Sequence, residues 1–180
     1  MIKVGQPAPD FTTQAYVNGQ FKTVSLKDKD FRGKWVVLFF YPLDFTFVCP
    51  TEILGFSDHL AEFQGMGAEV ITCSTDSVHS HRAWANTPRA KSGVEGVKIP
   101  MLEDTSHRIT RDYGVLIEEQ GIALRGTFII DPEGVLQYMV VHALNVGRSV
   151  SETLRVLQAL QSGGLCPIDW NPGQKHLVAG

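Results

Sequence analysis

Three cysteines, Cys49, Cys73 and Cys166, are the residues of this 180-residue chain best suited to covalent or redox chemistry. Cys49 lies between an apolar run, Trp35 to Tyr41, and a pattern with Ile53, Phe56, Leu60 and Phe63 at helical spacing. Pro50 follows it, and proline is favoured in the first helical turn, where its missing N–H would go unpaired anyway. Cys49 is therefore expected at or beside the N-cap of a helix, where free N–H groups and the helix dipole favour an anion. A thiol in such a place becomes a thiolate, the nucleophilic form. Glu52, three residues on, stands where a capping-box acid reaches back to the cap. Cys73 sits inside Val70-Ile71-Thr72-Cys73-Ser74, a buried-strand pattern, and reads as an inert core thiol. Cys166 lies in a polar, turn-rich segment with little to pack against, which points to reactivity.

Two other groupings of residues could carry chemistry. Cys49 with His142 and Asn145 would make a cysteine-hydrolase set, although His142 also fits a plain strand-end histidine. His79-Ser80-His81 has an interval of two, which does not put both rings on one helix face, so a zinc pair is not expected. With no Cys-x-x-Cys pair, neither a zinc knuckle nor a local dithiol is spelled out, and no metal or cofactor is implied.

The segment Pro42-Leu43-Asp44-Phe45-Thr46-Phe47-Val48-Cys49-Pro50 fits the peroxiredoxin signature Pro-x-x-x-Thr-x-x-Cys. Leu124 to Asp131 resembles the active-site arginine strand of that family. Val146-Gly147-Arg148-Ser149-Val150, with Glu152-Thr153-Leu154-Arg155, resembles the start of its last helix. Cys166-Pro167, Trp170 and Pro172-Gly173 resemble the resolving-cysteine segment of the typical two-cysteine branch, which holds the bacterial alkyl hydroperoxide reductase peroxidase subunit. The likeness runs from about Val4 to Gly173. It implies a thioredoxin-like α/β fold with a mixed central sheet flanked by helices and an extended C-terminal arm. It also implies a thiol-dependent peroxidase that reduces hydrogen peroxide and organic hydroperoxides. In that reading Cys49 is the peroxidatic thiol, with Thr46, Pro42 and Arg125 around the peroxide, and Glu52 and Arg148 form a charged network that orients Arg125. A solvated surface pair is the plainer alternative for those last two. Cys166 is the resolving thiol, supplied by the partner in a homodimer, and the family joins such dimers into rings of five. Thioredoxin or a flavoprotein disulfide reductase resets the disulfide. Family members also serve as holdases or redox relays. Members sensitive to over-oxidation carry a Gly-Gly-Leu-Gly insertion and a Tyr-Phe pair in a C-terminal helix. Here residues 91–100 read Lys-Ser-Gly-Val-Glu-Gly-Val-Lys-Ile-Pro and no Tyr-Phe pair follows Cys166, so a robust enzyme is expected.

The elements that must hold these residues alternate strand and helix. Asn18-Gly19 before Gln20 to Leu26 marks a hairpin. Trp35 to Tyr41 reads as a central buried strand, ended by Pro42. One helix is expected from Cys49 through Phe63, stopping near Gly65 and Gly67. Glu69 to Ser74 is a second strand. Helices follow at Ser77 to Trp84 and Ser106 to Tyr113. Gly126 to Ile130 and Val135 to Val141 flank the turn residues Asp131-Pro132-Glu133-Gly134. Val150 to Gln161 is an amphipathic helix, closed by Gly163-Gly164. The order predicts an α/β sandwich around a mixed sheet; with the resemblance, it implies a peroxidase domain over residues 1–161 and an arm over 162–180.

Composition agrees with a folded chain of this kind. It is 43% hydrophobic and 19% charged, which argues against disorder or a disulfide scaffold. Sixteen Lys and Arg against nineteen Asp and Glu give a net charge of −3, with no basic stripe to attract nucleic acid. The longest apolar run falls far short of the ~20 residues of a membrane span. Met1 to Pro7 has no apolar signal core, so the expectation is a reducing cytoplasm.

Overall fold

The computed structural model describes residues 2–179. The chain divides into two compact units, Met1–Arg148 and Ser149–Gly180.

The first unit is built on a sheet that begins with the hairpin β1 (Thr12–Val17) and β2 (Gln20–Ser25). Asn18 and Gly19 both take positive φ, 48° and 85°, as a two-residue hairpin turn requires. Then come β3 (Trp35–Phe40), α1 (Cys49–Asp58), α2 (Leu60–Gly65), β4 (Ala68–Ser74) and α3 (Val78–Ala85). They are followed by β5 (Met101–Glu103), α4 (Arg108–Asp112), a small pair β6 (Leu116–Ile117) and β7 (Ile122–Ala123), and the strands β8 (Arg125–Ile130) and β9 (Leu136–His142). The seven main strands run in the order β2-β1-β5-β4-β3-β8-β9, so the sheet is mixed. β3 pairs in parallel with β4 and β4 with β5, whereas β8 is antiparallel to both β3 and β9.

The unbroken apolar character of β3 follows from its central place, because both of its faces are covered. Val36, Leu38 and Phe40 join a cluster with Ile71, Phe128 and Tyr113. The alternate residues Val37 and Phe39 are equally buried, and Phe39 stacks on Phe56 of α1 with ring centroids 4.5 Å apart. A fixed strand thus delivers the chain to the start of α1, and Phe39 and Phe56 seat that helix on the sheet. Cys73 lies opposite Phe40 in the β3–β4 register and belongs to the same cluster.

The single helix expected through Phe63 is two helices. His59 breaks it: its backbone N–H and its ring Nδ1 both meet the Gly55 carbonyl, and its own carbonyl starts α2 by accepting from Glu62 and Phe63. Leu60 is consequently only half-buried while Ile53, Phe56 and Phe63 are sealed. α4 is shorter than its pattern predicts, because the Asp104 carboxylate accepts from the Arg108 and Thr110 N–H groups and fixes where the helix begins. β5 and the β6–β7 pair, at two or three residues each, are too short to leave a periodic signal.

The second unit holds α5 (Val150–Ser162). Ser149 caps it by accepting from the Glu152 N–H at 3.1 Å, and Gly163 ends it at φ 65°. The arm beyond contains no helix among the described residues. It folds back on itself through a bridge between Leu165 and Leu177.

Burial pushes the Cys73 thiol well above its ordinary value, and the Asp104 carboxylate adds to the effect. Cys73 should therefore resist iodoacetamide in the native protein at neutral pH and react fully only in denaturant. Labelling of native Cys73 at a rate near that of a free thiol would contradict its place in the core.

Candidate active site

The chain leaves β3 through Tyr41 and Pro42, both buried, and turns sharply before α1. Phe45 makes the turn with φ 55°, a strained conformation for a side chain of its size. Its ring packs against Trp84, centroid to centroid 5.9 Å. Cys49 is the first residue of α1, beside the N-cap Val48, and Pro50 occupies the first turn. The thiol therefore faces the unpaired N–H end of a ten-residue helix and is fully buried.

Arg125, the first residue of β8, reaches this thiol across the sheet. Its Nη1 lies 3.3 Å from Cys49 Sγ and also donates to Glu52 Oε2 at 2.6 Å, while its Nε donates to the Leu144 carbonyl at 2.8 Å. Glu52 is not a capping-box acid, contrary to the expectation from spacing. Its carboxylate turns away from the cap because two guanidiniums hold it. Arg148 donates to Oε1 from its backbone N and its Nε, both at 2.9 Å, and to Oε2 from Nη2 at 2.8 Å. Arg148 Nη1 in turn holds the Phe40 and Gly126 carbonyls at 2.6 and 2.9 Å, and its guanidinium lies 4.7 Å over the Phe39 ring. Burial pulls the Arg148 guanidinium below its ordinary value and Glu52 opposes this. Glu52 and Arg148 are thus buried, not a solvated surface pair, with both side chains 2% exposed. Two guanidiniums against one carboxylate leave a single positive charge in a dry site, which a thiolate at Cys49 neutralises.

Thr46 is half-buried, and its hydroxyl donates to the Leu43 carbonyl at 3.0 Å, which leaves its oxygen lone pairs to accept. His142 stands opposite Arg125 in the β8–β9 register, and no histidine is hydrogen-bonded to Cys49 among the described residues. The two histidines at 79 and 81 face different ways: His79 packs edge-on to Phe21 and His81 is wholly buried. A cleft of about 370 Å³ lined by Leu26, Phe31, Lys34 and Ile130 lies at the far end of the strands from Cys49. Cys166 belongs to the second unit, half-exposed, and all three cysteines are free thiols.

A thiol at a helix start, held beside a guanidinium, suits attack on a polar bond, and comparison with known proteins narrows this. The AhpC/TSA family model matches residues 4–139. A thioredoxin peroxidase of Echinococcus granulosus is 57% identical, covering 96% of this chain and 90% of its own. The reduced 2-Cys peroxiredoxin of Plasmodium vivax superposes with a TM-score of 0.92 at 40% identity, covering 98% of this chain and 93% of that one. AhpC of Enterococcus faecalis gives 0.83 at 39% identity, over 90% and 94%. The chain belongs to the AhpC/TSA family, as a typical two-cysteine peroxiredoxin. It is a thiol-dependent peroxidase with the thioredoxin-like fold of that family.

One part of this peroxiredoxin's site escaped sequence reasoning. Asp44, within the signature loop, is buried with a full set of partners. Tyr41 OH and Ser80 Oγ each donate to it at 2.7 Å, and His81 Nδ1 lies 2.8 Å from its Oδ2. His81 Nε2 faces the Leu102 carbonyl at 3.1 Å, so both ring nitrogens meet acceptors and the ring is suited to the imidazolium form. The Asp44 N–H is fixed in turn by the Asp76 carboxylate at 2.9 Å. This pair ties the strained loop to α3 and β5 just before the Phe45 turn. The only sequence signal was a polar Asp amid apolar residues, which does not reveal its partner 37 residues away.

Burial works against the His81 imidazolium, but the hydrogen bond and charge of Asp44, the Leu102 carbonyl and the Asp76 charge carry its pKa above the ordinary 6.5. The stability this pair contributes is then fully present below pH ~6.5 and fades as pH rises through the folded-state value. Removing the ring strands Asp44, so His81→Asn should destabilise the fold by about 3 kcal/mol at pH 6. Urea melts of both proteins from pH 6 to 9 should show the gap narrowing with pH. A gap that widens would mean that His81 is neutral in the native state.

Proposed function

We propose that Cys49 is the peroxidatic thiol. Its thiolate attacks the terminal oxygen of hydrogen peroxide or an organic hydroperoxide, the O–O bond breaks, and water or an alcohol leaves with a proton. Cys49 is left as a sulfenic acid. The observation that carries this is Arg125 Nη1, shared between Cys49 Sγ and Glu52 Oε2. Arg125 is a fixed fork beside the sulfur, set to meet the charge that grows on the leaving oxygen. Glu52 and Arg148 are positioning residues for that fork. Pro42 closes the pocket without adding an N–H. Thr46, with its proton on the Leu43 carbonyl, can turn to donate to the peroxide.

Cys166 of a partner subunit then condenses with the sulfenic acid to give an intersubunit disulfide. The assembly proposed is a homodimer, in rings of five. The edge position of β9, with Met139 and Val141 exposed on it, supports pairing with a second copy. A dithiol reductant of the thioredoxin type, or a flavoprotein disulfide reductase, resets the pair; the name of the Echinococcus relative supports the former. Cytoplasmic residence accords with three free cysteines, and among the described residues no helix is long and apolar enough to cross a membrane.

Stopped-flow mixing with one equivalent of peroxide tests the roles. Cys49→Ser should lose the fast oxidation phase, and Cys166→Ser should keep it and stall as sulfenic acid. Arg125→Lys keeps the charge but not the planar fork, and the oxidation rate should fall at least ~10²-fold. A near-normal rate in the lysine variant would show that charge alone suffices.

Because Cys49 is fully buried, the first turn of α1 must unwind to release it. The 89–98 segment grips α1 at its other end, through Arg89 on Asp58 at 2.9 and 3.0 Å and the Lys98 N–H on Ser57 Oγ at 2.8 Å. These bonds leave the first turn free to open, and quick opening shortens the wait in which a second peroxide can react. Mass spectrometry after turnover in sub-millimolar peroxide should find little Cys49 sulfinic acid; substantial conversion would refute a robust enzyme.

A further inference from the structure

We propose that His176 and Ser162 form a proton relay that ionises Cys166 for its attack on the Cys49 sulfenic acid. The proposal rests on the reading of Cys166 as the resolving thiol. The three side chains converge within the second unit: His176 Nε2 lies 3.0 Å from Ser162 Oγ, and Ser162 Oγ lies 3.5 Å from Cys166 Sγ.

The ring is held for this. The Leu177 N–H donates to the Leu165 carbonyl at 2.9 Å, which sets residue 176 beside residue 166. Trp170 stacks on the imidazole with centroids 5.3 Å apart and planes 17° from parallel. The imidazole lies against Gly164, where a Cβ would come within 2.4 Å of it, so a larger residue there would displace the ring.

Ser162 is the movable link. Its Oγ lies 2.7 Å from the Ala159 carbonyl, its resting acceptor, and the Gly164 N–H donates to it at 3.4 Å. The thiol shares the Ala159 carbonyl at 3.7 Å. A hydroxyl rotor carries one proton and no fixed torsion. The thiol proton passes to Ser162 Oγ as the hydroxyl proton passes to His176 Nε2. The new hydroxyl then donates to the thiolate, a stronger bond than one to a neutral carbonyl. His176 is exposed and gives its proton to water.

The thiolate forms the S–S bond, the S–O bond of the sulfenic acid breaks, and the departing hydroxide takes a proton to become water. Cys166 sulfur is oxidised and Cys49 sulfur reduced by the same electron pair. The charged groups in the Cys166 groove do not supply this ionisation by themselves. Arg155 directs its donors to the Glu152 carboxylate at 2.6 and 2.7 Å and to the Trp170 carbonyl at 2.8 Å, and Asp169 carries a charge of the same sign as a thiolate.

Rapid mixing with one equivalent of peroxide separates Cys49 oxidation from disulfide formation. Ser162→Ala and His176→Phe, the latter keeping the stack on Trp170, should leave the first phase unchanged and slow the second about tenfold. That is less than the ~10² or more of a typical lost proton-transfer group, because an unassisted thiol is already a good nucleophile. Ser162→Thr, which keeps the hydroxyl, should restore the rate. In a Cys49→Ser background, the pH midpoint for Cys166 alkylation should rise in the same two variants and return in Ser162→Thr. An unchanged second phase with unchanged midpoints overturns the relay. Cys166→Ser separates the two readings. If it keeps the second phase, the resolving role falls and the relay with it. If it loses that phase while the relay variants keep theirs, the relay alone falls.

Discussion

Everything near Cys49 depends on one carboxylate shared by two buried guanidiniums. Glu52 fixes Arg125 and Arg148 at once, and Arg148 ties the cluster to the Phe40 and Gly126 carbonyls. Neutral pairing would have been cheaper in desolvation, because burying charge costs several kcal/mol per ion. The odd positive charge left over explains why the arrangement is worth keeping. A negative charge on the Cys49 sulfur would balance the buried charges, with no base standing beside it. A carboxylate with a single arginine would close its own charge account and leave nothing for the sulfur.

That same cluster bounds how the thiol is released. Cys49 and Glu52 are the first and fourth residues of α1. Residues 49–51 can unwind while Glu52 stays on its two arginines and Arg89 and the Lys98 N–H hold the helix's far end. Unwinding past Glu52 would expose a broken buried pair and is strongly opposed. On the other side of the thiol, Asp44 and His81 fix the loop before Phe45, whose strained turn needs that anchor. The stretch that must open to release the thiol is thus confined between a buried ion pair on the loop and a buried triad in the helix.

Local signals carried much of this into the sequence. Asn18-Gly19, the apolar run of β3 and Gly163 after the last helix are each read from a few neighbouring residues, and each lies where its chemistry puts it. What depends on distant residues was not legible. Spacing made Glu52 a cap, because nothing within a turn of it reveals arginines 73 and 96 residues away. Arg125 came only from the resemblance to a family. His81 reads only as one of two histidines spaced too closely to share a helix face, which gives no sign of Asp44. The break at His59 was hidden because the apolar spacing continues through it, and the periodicity of side chains does not register a carbonyl captured by an imidazole.

The two outer thiols are set in opposite surroundings, and their proposed chemistry requires it. Cys49 is sealed from water beside the Arg125 guanidinium, a charge that is there whether or not a reactant is present. Cys166 is half-exposed beside a rotatable hydroxyl and an imidazole, groups that carry no fixed charge between them. A thiol held permanently ionised in the open would be exposed to every oxidant in solution. A thiol that ionises through a relay gives up its proton through movable groups and needs no fixed charge beside it. Fixed charge suits the sulfur that must meet dilute peroxide, and a movable proton suits the one that must wait.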